Sequence, residues 1–393
     1  MTIARPAQRF SVLLALTTLS ACSAEDTPPS PASSNEAHLA VLATSAPQPS
    51  QAHDFVIETL AEGLKHPWSV AFLPDGTLLI SERAGTLRRL SPAGLSAPLT
   101  GVPQVVVENQ GGLLDIALHP DFAEQPFVYL SYATACAEGG ATTAFGRGRL
   151  ADSGLVDFTE LFAADACARG GRHHAGRLLF DRDGFLYLSV GDRGQDPRAQ
   201  DTADHAGTLL RFNADGSVPA DNPFVGDHAG LDEIWSYGHR NPQGLALHPD
   251  TGALWEQEHG PKGGDEINLI RPGINYGWPV ITYGREYNGD YIGPGEQDGL
   301  EQPLKHWTPS IAPSGMAFYQ GDAFPEWRGD IFVGALAGTH LARVRFNGTE
   351  EVSEEKLLAD TGYRIRDVRT GPDGRLYLLT DAPDGKLLRL SPP

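Results

Sequence analysis

The feature that most constrains this chain is a hairpin written six times. Each copy has an apolar alternating run, a turn of the Asp-Gly or Pro-Asp kind, and a second apolar run. The copies begin at Ser69 (SVAFLPDGTLLISE), Leu114 (LDIALHPDFAEQPFVYLSY), Arg177 (RLLFDRDGFLYLSVGD), Gly244 (GLALHPDTGALWEQE), Gly315 (GMAFYQGDAFPEWRGDIFVGA) and Val368 (VRTGPDGRLYLLTD). Asp-Gly between alternating apolar runs is the strongest short hairpin signal. Recurrence at uneven intervals of a few tens of residues reads as blades with variable loops. No long 3.6-period segment competes, and 45 glycines with 30 prolines suit many turns and few helices. The expected fold is all-β, a six-bladed β-propeller. A β-sandwich seldom needs six similar hairpins. The segment Phe55–Leu60 is expected to supply an outer strand that closes the ring with the C-terminal blade.

The N-terminus has a different character. Residues 1–22 place Arg5 and Arg9 before a short apolar run that ends in small residues, which is the anatomy of a secretory signal and not of a membrane span. Leu19-Ser20-Ala21-Cys22 fits a bacterial lipobox, so Cys22 would become the lipidated first residue of an exported lipoprotein, held at the periplasmic side of a membrane or the cell surface. Residues 23–53 are rich in Ser, Ala, Pro and acidic groups and read as a flexible tether. The propeller domain is then 54–393.

The formal charge is −20, and loss of Arg5 and Arg9 with the signal takes it to about −22. That balance argues against nucleic-acid binding and against a basic membrane-docking face. Any anionic ligand would need Arg and Lys gathered locally. Besides Cys22 the chain has only Cys136 and Cys167. An even pair in an exported protein suggests one disulfide; two separate buried thiols are the alternative, and number and spacing speak against a Cys-ligated metal.

Residues with chemical potential sit at the ends of the repeated strands, where a propeller places its functional loops. His173 and His174 (GRHHAGRLLF) precede one strand, and Asp192 (SVGDRG) follows its hairpin partner, so a histidine and a carboxylate can meet at one rim. That pairing suits a general base, although spacing alone leaves the choice between the two histidines open. Gln110, followed by Gly111 and Gly112, offers an amide and an open backbone, or simply a turn. Arg240 can grip a carboxylate with two prongs, and Asn241 beside it can donate and accept. The Gly260–Pro261 step can turn carbonyls toward a hard cation such as Ca²⁺. Arg364 and Arg366, two apart on an extended chain, face one way and form either a carboxylate clamp or a charged outer edge.

These motifs appear in an order that resembles the pyrroloquinoline quinone (PQQ)-dependent aldose and glucose dehydrogenases, soluble six-bladed quinoproteins. The run Tyr237–Trp278 (YGHRNPQGLALHPDTGALWEQEHGPKGGDEINLIRPGINYGW) carries most of the likeness, which extends from about Glu58 onward. The resemblance implies PQQ and calcium as cofactors, with Gln110, Arg240, Asn241, Arg364 and Arg366 on the quinone and the Gly260–Pro261 pair on the Ca²⁺. It places the catalytic role on His173, four residues before Arg177-Leu178, with Asp192 as partner. His173 would take the anomeric hydroxyl proton while the C1 hydride moves to the quinone, giving a lactone from an aldose. Electrons would then pass to a quinone or cytochrome, from a monomer or homodimer. Asp265-Glu266 with Tyr276 corresponds to a second, structural Ca²⁺ in some relatives. One departure stands out: the glucose dehydrogenases carry a Lys in the loop after the fifth blade's strand, where this chain has Ala337, Gly338 and Thr339, and Lys262 is the candidate to compensate.

Asp181-Arg182-Asp183-Gly184 reads as a hairpin turn and not a calcium loop, for want of later acidic ligands and flanking helices. No GxGxxG follows a strand into a helix, so nicotinamide binding finds no support. A Ca²⁺-dependent propeller lactonase would share ring and metal, but leaves no use for Arg364 and Arg366. A non-catalytic sugar-binding lipoprotein would have no use for a His173–Asp192 pair.

Overall fold

The computed structural model describes Met1 and residues 39–226 and 229–393. The compact unit Glu36–Pro393 is built from six antiparallel sheets. Blade 1 runs Pro67–Phe72, Leu78–Glu82, Thr86–Ser91 and Gly94–Leu95. Blade 2 runs Leu113–Leu118, Phe127–Ala135, Ala141–Ala151 and Gly154–Ala163. Blade 3 runs Leu178–Phe180, Leu186–Val190, Thr208–Phe212 and Ile234–Tyr237. Blade 4 runs Pro242–Leu247, Leu254–Glu258, Asp265–Leu269 and Lys305–Trp307. Blade 5 runs Pro313–Phe318, Ile331–Ala335, Leu341–Asn347 and Glu350–Leu357. Blade 6 takes Ile365–Thr370, Leu376–Thr380 and Gly385–Ser391 from the C-terminus.

The first strand of each blade packs against the first strands of its neighbours, and that of blade 6 against that of blade 1, so the sheets form a closed six-bladed β-propeller. All six repeated hairpins are the first two strands of the six blades. Ring closure comes from the N-terminal side: Val56–Leu64 pairs with Gly385–Ser391, from Val56 opposite Ser391 to Leu64 opposite Gly385. The Asp181–Gly184 segment is a turn in which the Asp181 carboxylate accepts the N–H groups of Asp183 and Phe185 at 3.0 and 2.9 Å.

One boundary differs from expectation. Ala43–Thr44 forms an edge strand on Val56–Leu64, Gln48 bridges Phe55, and the His53 ring meets Phe324 and Trp327. The tether expected over 23–53 therefore gives way to folded chain by residue 39. Backbone hydrogen bonds to an exposed sheet edge need no large apolar side chains, so composition missed this strand. The signal segment, Cys22 and the earlier tether lie outside the described residues.

Two devices register the blades. Ser81, Ser131 and Ser189, each on a second strand, accept an N–H from, or just before, their own first strand and donate to a carbonyl at the start of the next blade: Leu114 at 2.6 Å, Gly176 at 2.5 Å and Pro242 at 3.0 Å. Across the central channel Arg177 and Arg369 meet Asp115 and Asp367, with Arg177–Asp367 at 2.8 Å and Arg369–Asp115 at 2.7 Å. Two opposite pairs of charges neutralise one another there, which is what a buried ionic cluster requires. The network separates an apolar cavity of about 430 Å³ at one end of the channel, lined by Phe72, Leu118, Phe180, Leu247 and Phe318, from polar cavities at the other.

Candidate active site

At the polar end, all six blades contribute to one inner cavity of about 300 Å³. Its walls include Trp68, Gln110, His174, Asn241, Gln243, Ala312, Arg364 and Arg366. An outer cavity of about 420 Å³ shares Asn109 and Gln110 with it and adds Arg172, His173, Asp196, Arg240, Pro261, Trp278, Glu286 and Tyr287. Every residue expected as base, on the quinone or on its Ca²⁺ lines one of the two, except Asp192 and Gly260, which lie behind the walls. Strand ends converge on this rim because each hairpin's second strand returns the chain to where its first began.

His173 Nδ1 lies 2.5 Å from Asp192 Oδ1. Asp192 is fully buried and accepts from Gly194 N–H at 2.7 Å and from the Trp278 indole at 2.8 Å. Burial works against its charge, but the His173 bond, Arg240 and the Gly194 N–H together hold its carboxyl below the ordinary value. The ionised carboxylate accepts only, so Nδ1 carries the hydrogen, and Nε2 has no partner among the described residues in a side chain that lines the outer cavity. The His173 backbone N–H donates to Gln110 Oε1 at 2.9 Å, which gives Gln110 a positioning role that its sequence did not reveal.

Arg240 is buried, donates to the carbonyls of His259 and Gly260 at 3.2 and 2.9 Å, and has an Nε–H without a partner among the described residues. Both carbonyls thus point toward the site. Gly260 tolerates no side chain, since a Cβ there would fall 2.2 Å from the Gly263 carbonyl. Arg364 and Arg366 reach one carboxylate, Asp381, at 3.4 and 3.0 Å, and Arg366 also donates to Gln243. Burial opposes the charge on Asp381, yet Arg366, His66 and Arg364 hold it well below the carboxylate range. Gln243 lies inside the Tyr237–Trp278 run but only borders the fourth hairpin there, and Asp381 ends the sixth hairpin with no motif around it, so both escaped sequence reasoning; they preset the arginine pair. Lys262 is exposed and lines neither cavity, so its compensation for the absent loop lysine is not borne out; the Gly-Pro turn directs its backbone N–H to Arg285 and leaves its side chain outward.

Behind Gly260, Glu258, Glu266 and Tyr276 line a small pocket, and His239, Glu256 and Glu258 present ligand atoms within 4.8 Å of one another. Burial and the Glu258 charge push Glu256 and Glu266 well above the usual carboxylate range.

The model of the glucose/sorbosone dehydrogenases matches residues 64–389. The chain belongs to that family. It is similar to the aldose sugar dehydrogenase YliI of Escherichia coli K12, 47% identical over 343 residues that cover 86% of this chain and 92% of the relative. Among solved structures it resembles the apo-form of the soluble aldose sugar dehydrogenase of Escherichia coli, with TM-score 0.84 and 47% identity over 86% of this chain and 99% of the other. It also resembles the PQQ-bound aldose sugar dehydrogenase of Streptomyces coelicolor, with TM-score 0.72 and 30% identity over 88% of this chain and 99% of the other. A glucose/sorbosone dehydrogenase is an enzyme, so a purely sugar-binding role falls away.

Proposed function

We propose that this glucose/sorbosone dehydrogenase oxidises aldose sugars at C1 to the lactone, with PQQ and Ca²⁺ as cofactors and His173 as general base. The observation that carries the reading is the His173–Asp192 contact beside three convergent arginines, Arg240, Arg364 and Arg366, in a protein of net charge −20. A tricarboxylate quinone fits that gathering of positive charge, and the bare Arg240 Nε–H is a donor awaiting an acceptor. When bound, PQQ supplies the carbonyl that takes up the C1 hydride, and Ca²⁺ supplies Lewis acidity. Arg364 and Arg366 would grip its carboxylates, Gln110 and Asn241 would meet its polar edge, and the Gly260 and Pro261 carbonyls would hold the cation.

The base chemistry is the chain's own. His173 Nε2 takes the proton from the anomeric hydroxyl as the C1 hydride departs, and Asp192 stabilises the imidazolium that results. Trp278 and Gly194 keep Asp192 oriented. Of the expected Asp265, Glu266 and Tyr276 set, Asp265 is taken up by the N–H groups of Gly260, Ile311 and Ala312, while Glu266 and Tyr276 would support a second, structural Ca²⁺ that would relieve the crowding of buried carboxylates. A lactonase is the weaker reading because it leaves the arginine pair unused.

We further propose export as a lipoprotein acylated at Cys22, a neutral sugar as partner substrate, and a quinone or cytochrome as electron acceptor. No described helix is long and apolar enough to cross a membrane.

The deciding experiment adds PQQ and Ca²⁺ to the apo-protein and follows the quinone absorbance as sugar is supplied. Sugar-dependent bleaching is expected. His173→Ala should bind both cofactors yet lose oxidation by at least roughly 10²-fold, and Asp192→Asn should lose less. Wild-type turnover in His173→Ala would end the assignment.

A further inference from the structure

We propose that Arg193 is the positioning residue that makes His173, and not its neighbour His174, the basic histidine: it anchors His174 as a neutral ring and so fixes the turn from which His173 reaches the outer cavity. The inference rests on the reading of His173 as base.

The two histidines are adjacent but face different spaces, His173 the outer cavity and His174 the inner one. Both ring nitrogens of His174 are engaged. The Thr143 hydroxyl donates to the His174 carbonyl at 2.7 Å and is therefore free to accept from Nδ1, 3.3 Å away. Nδ1 carries the hydrogen, and Nε2 accepts from Arg193 Nη2 at 3.0 Å. Gly111, next to Gln110, closes over the ring so tightly that a Cβ there would lie 2.9 Å from Nε2.

Arg193 is only 2% exposed and forms no ion pair among the described residues. Nε and Nη2 also donate to the carbonyls of Ala166 and Ala141 at 3.2 and 3.3 Å, and Nη1 has no partner. A buried cation without an ion pair is costly, so its retention calls for a role. The one it has here is to join three segments. Ala141 opens a strand of blade 2, Ala166 precedes the cysteine of the Cys136–Cys167 disulfide, and His174 belongs to the turn before blade 3. That turn is unusual: His173 and Ala175 have left-handed backbones, with φ of 47° and 54°, and so has Arg193 beyond the second strand, with φ of 63°. Non-glycine residues persist there only where surroundings over-determine them. Burial first, then the charges of Arg193 and His173, hold the His174 imidazole well below its ordinary value, so a substrate proton cannot settle on it. Asp192 and Arg198 are the other charged groups that act on Arg193.

The test uses histidine-¹⁵N-labelled protein, first without cofactors, in long-range ¹H–¹⁵N spectra between about pH 5 and 8. His174→Gln identifies the ring. A neutral Nδ1–H tautomer that does not titrate is expected in the wild type, and Arg193→Met should release it to exchange and titrate. With PQQ and Ca²⁺ added, Arg193→Met should lower kcat/KM by roughly ten- to a hundredfold through misplacement of His173 and shift the acid limb of the pH profile. Arg193→Lys should restore part of both. A wild-type ring that titrates or holds its hydrogen on Nε2 overturns the proposal, as does an Arg193→Met protein with unaltered His174 signals and pH profile. If Arg193→Met does not fold, the wild-type tautomer and Arg193→Lys decide. A locked ring in a protein that oxidises no sugar supports the lock and counts against the dehydrogenase reading.

Discussion

Arg364 and Arg366, proposed as a carboxylate clamp, would be prepared before their ligand arrives. Asp381 holds both, yet one carboxylate against two guanidinium groups leaves a net positive edge for an incoming anion. Arg364→Ala or Arg366→Ala should each raise the PQQ concentration needed for half-maximal reconstitution by about ten- to a hundredfold, as expected for about 1.5–3 kcal/mol of charge-assisted contact. A titration of the apo-protein with PQQ checks it. His259 gives a pH signature. Burial, assisted by Arg240, pushes its imidazole down to about 3. The unfolded chain would take up a proton near 6.5 that the folded chain refuses until about pH 3. Folded stability should therefore fall as pH drops through that window. Denaturation midpoints at pH 7 and near pH 4.5 should separate less in His259→Gln, whose amide can still donate to the Pro313 carbonyl now bonded at 2.5 Å.

At the scale of elements, the six hairpins were readable because Asp-Gly and Pro-Asp turns are local chemistry. Their third and fourth strands were not. Second strands such as Leu78–Glu82 and Ile331–Ala335 are buried throughout because blade neighbours cover both faces, and so stand out as apolar runs. Outer strands such as Glu350–Leu357 are largely solvated and read as polar loop. Strand ends likewise told where His173, Asp192, Gln110 and the arginines would gather, while Asp381, Gln243 and Arg193 act through contacts far along the chain. The cysteine pairing was readable too, and Cys136 and Cys167 are bonded at 2.01 Å. Their 31-residue separation spans strands three and four of blade 2, so Cys136→Ser with Cys167→Ser should cost roughly 3 kcal/mol in urea unfolding. Each serine latch removed, as in Ser131→Ala, should cost about 1 kcal/mol by the same measurement.

At the scale of the whole molecule, closure depends on Val56–Leu64. Removing residues 1–53 strips the edge strand, the Gln48 bridge and the His53 ring contacts, and should lower the thermal midpoint modestly. Removing residues 1–64 exposes the edge of Gly385–Ser391 and should leave a chain that elutes as aggregate and shows no cooperative melt. A cooperative melt in the second truncation would mean that blade 6 needs only three strands.

The closing strand and its partner lie far apart along the chain, with the other five blades between them. The ring can therefore shut only after everything it encloses has been made. A chain that lacks either strand leaves open the blade that bears Arg364 and Arg366, so one long-range pairing reports on the presence of all six blades.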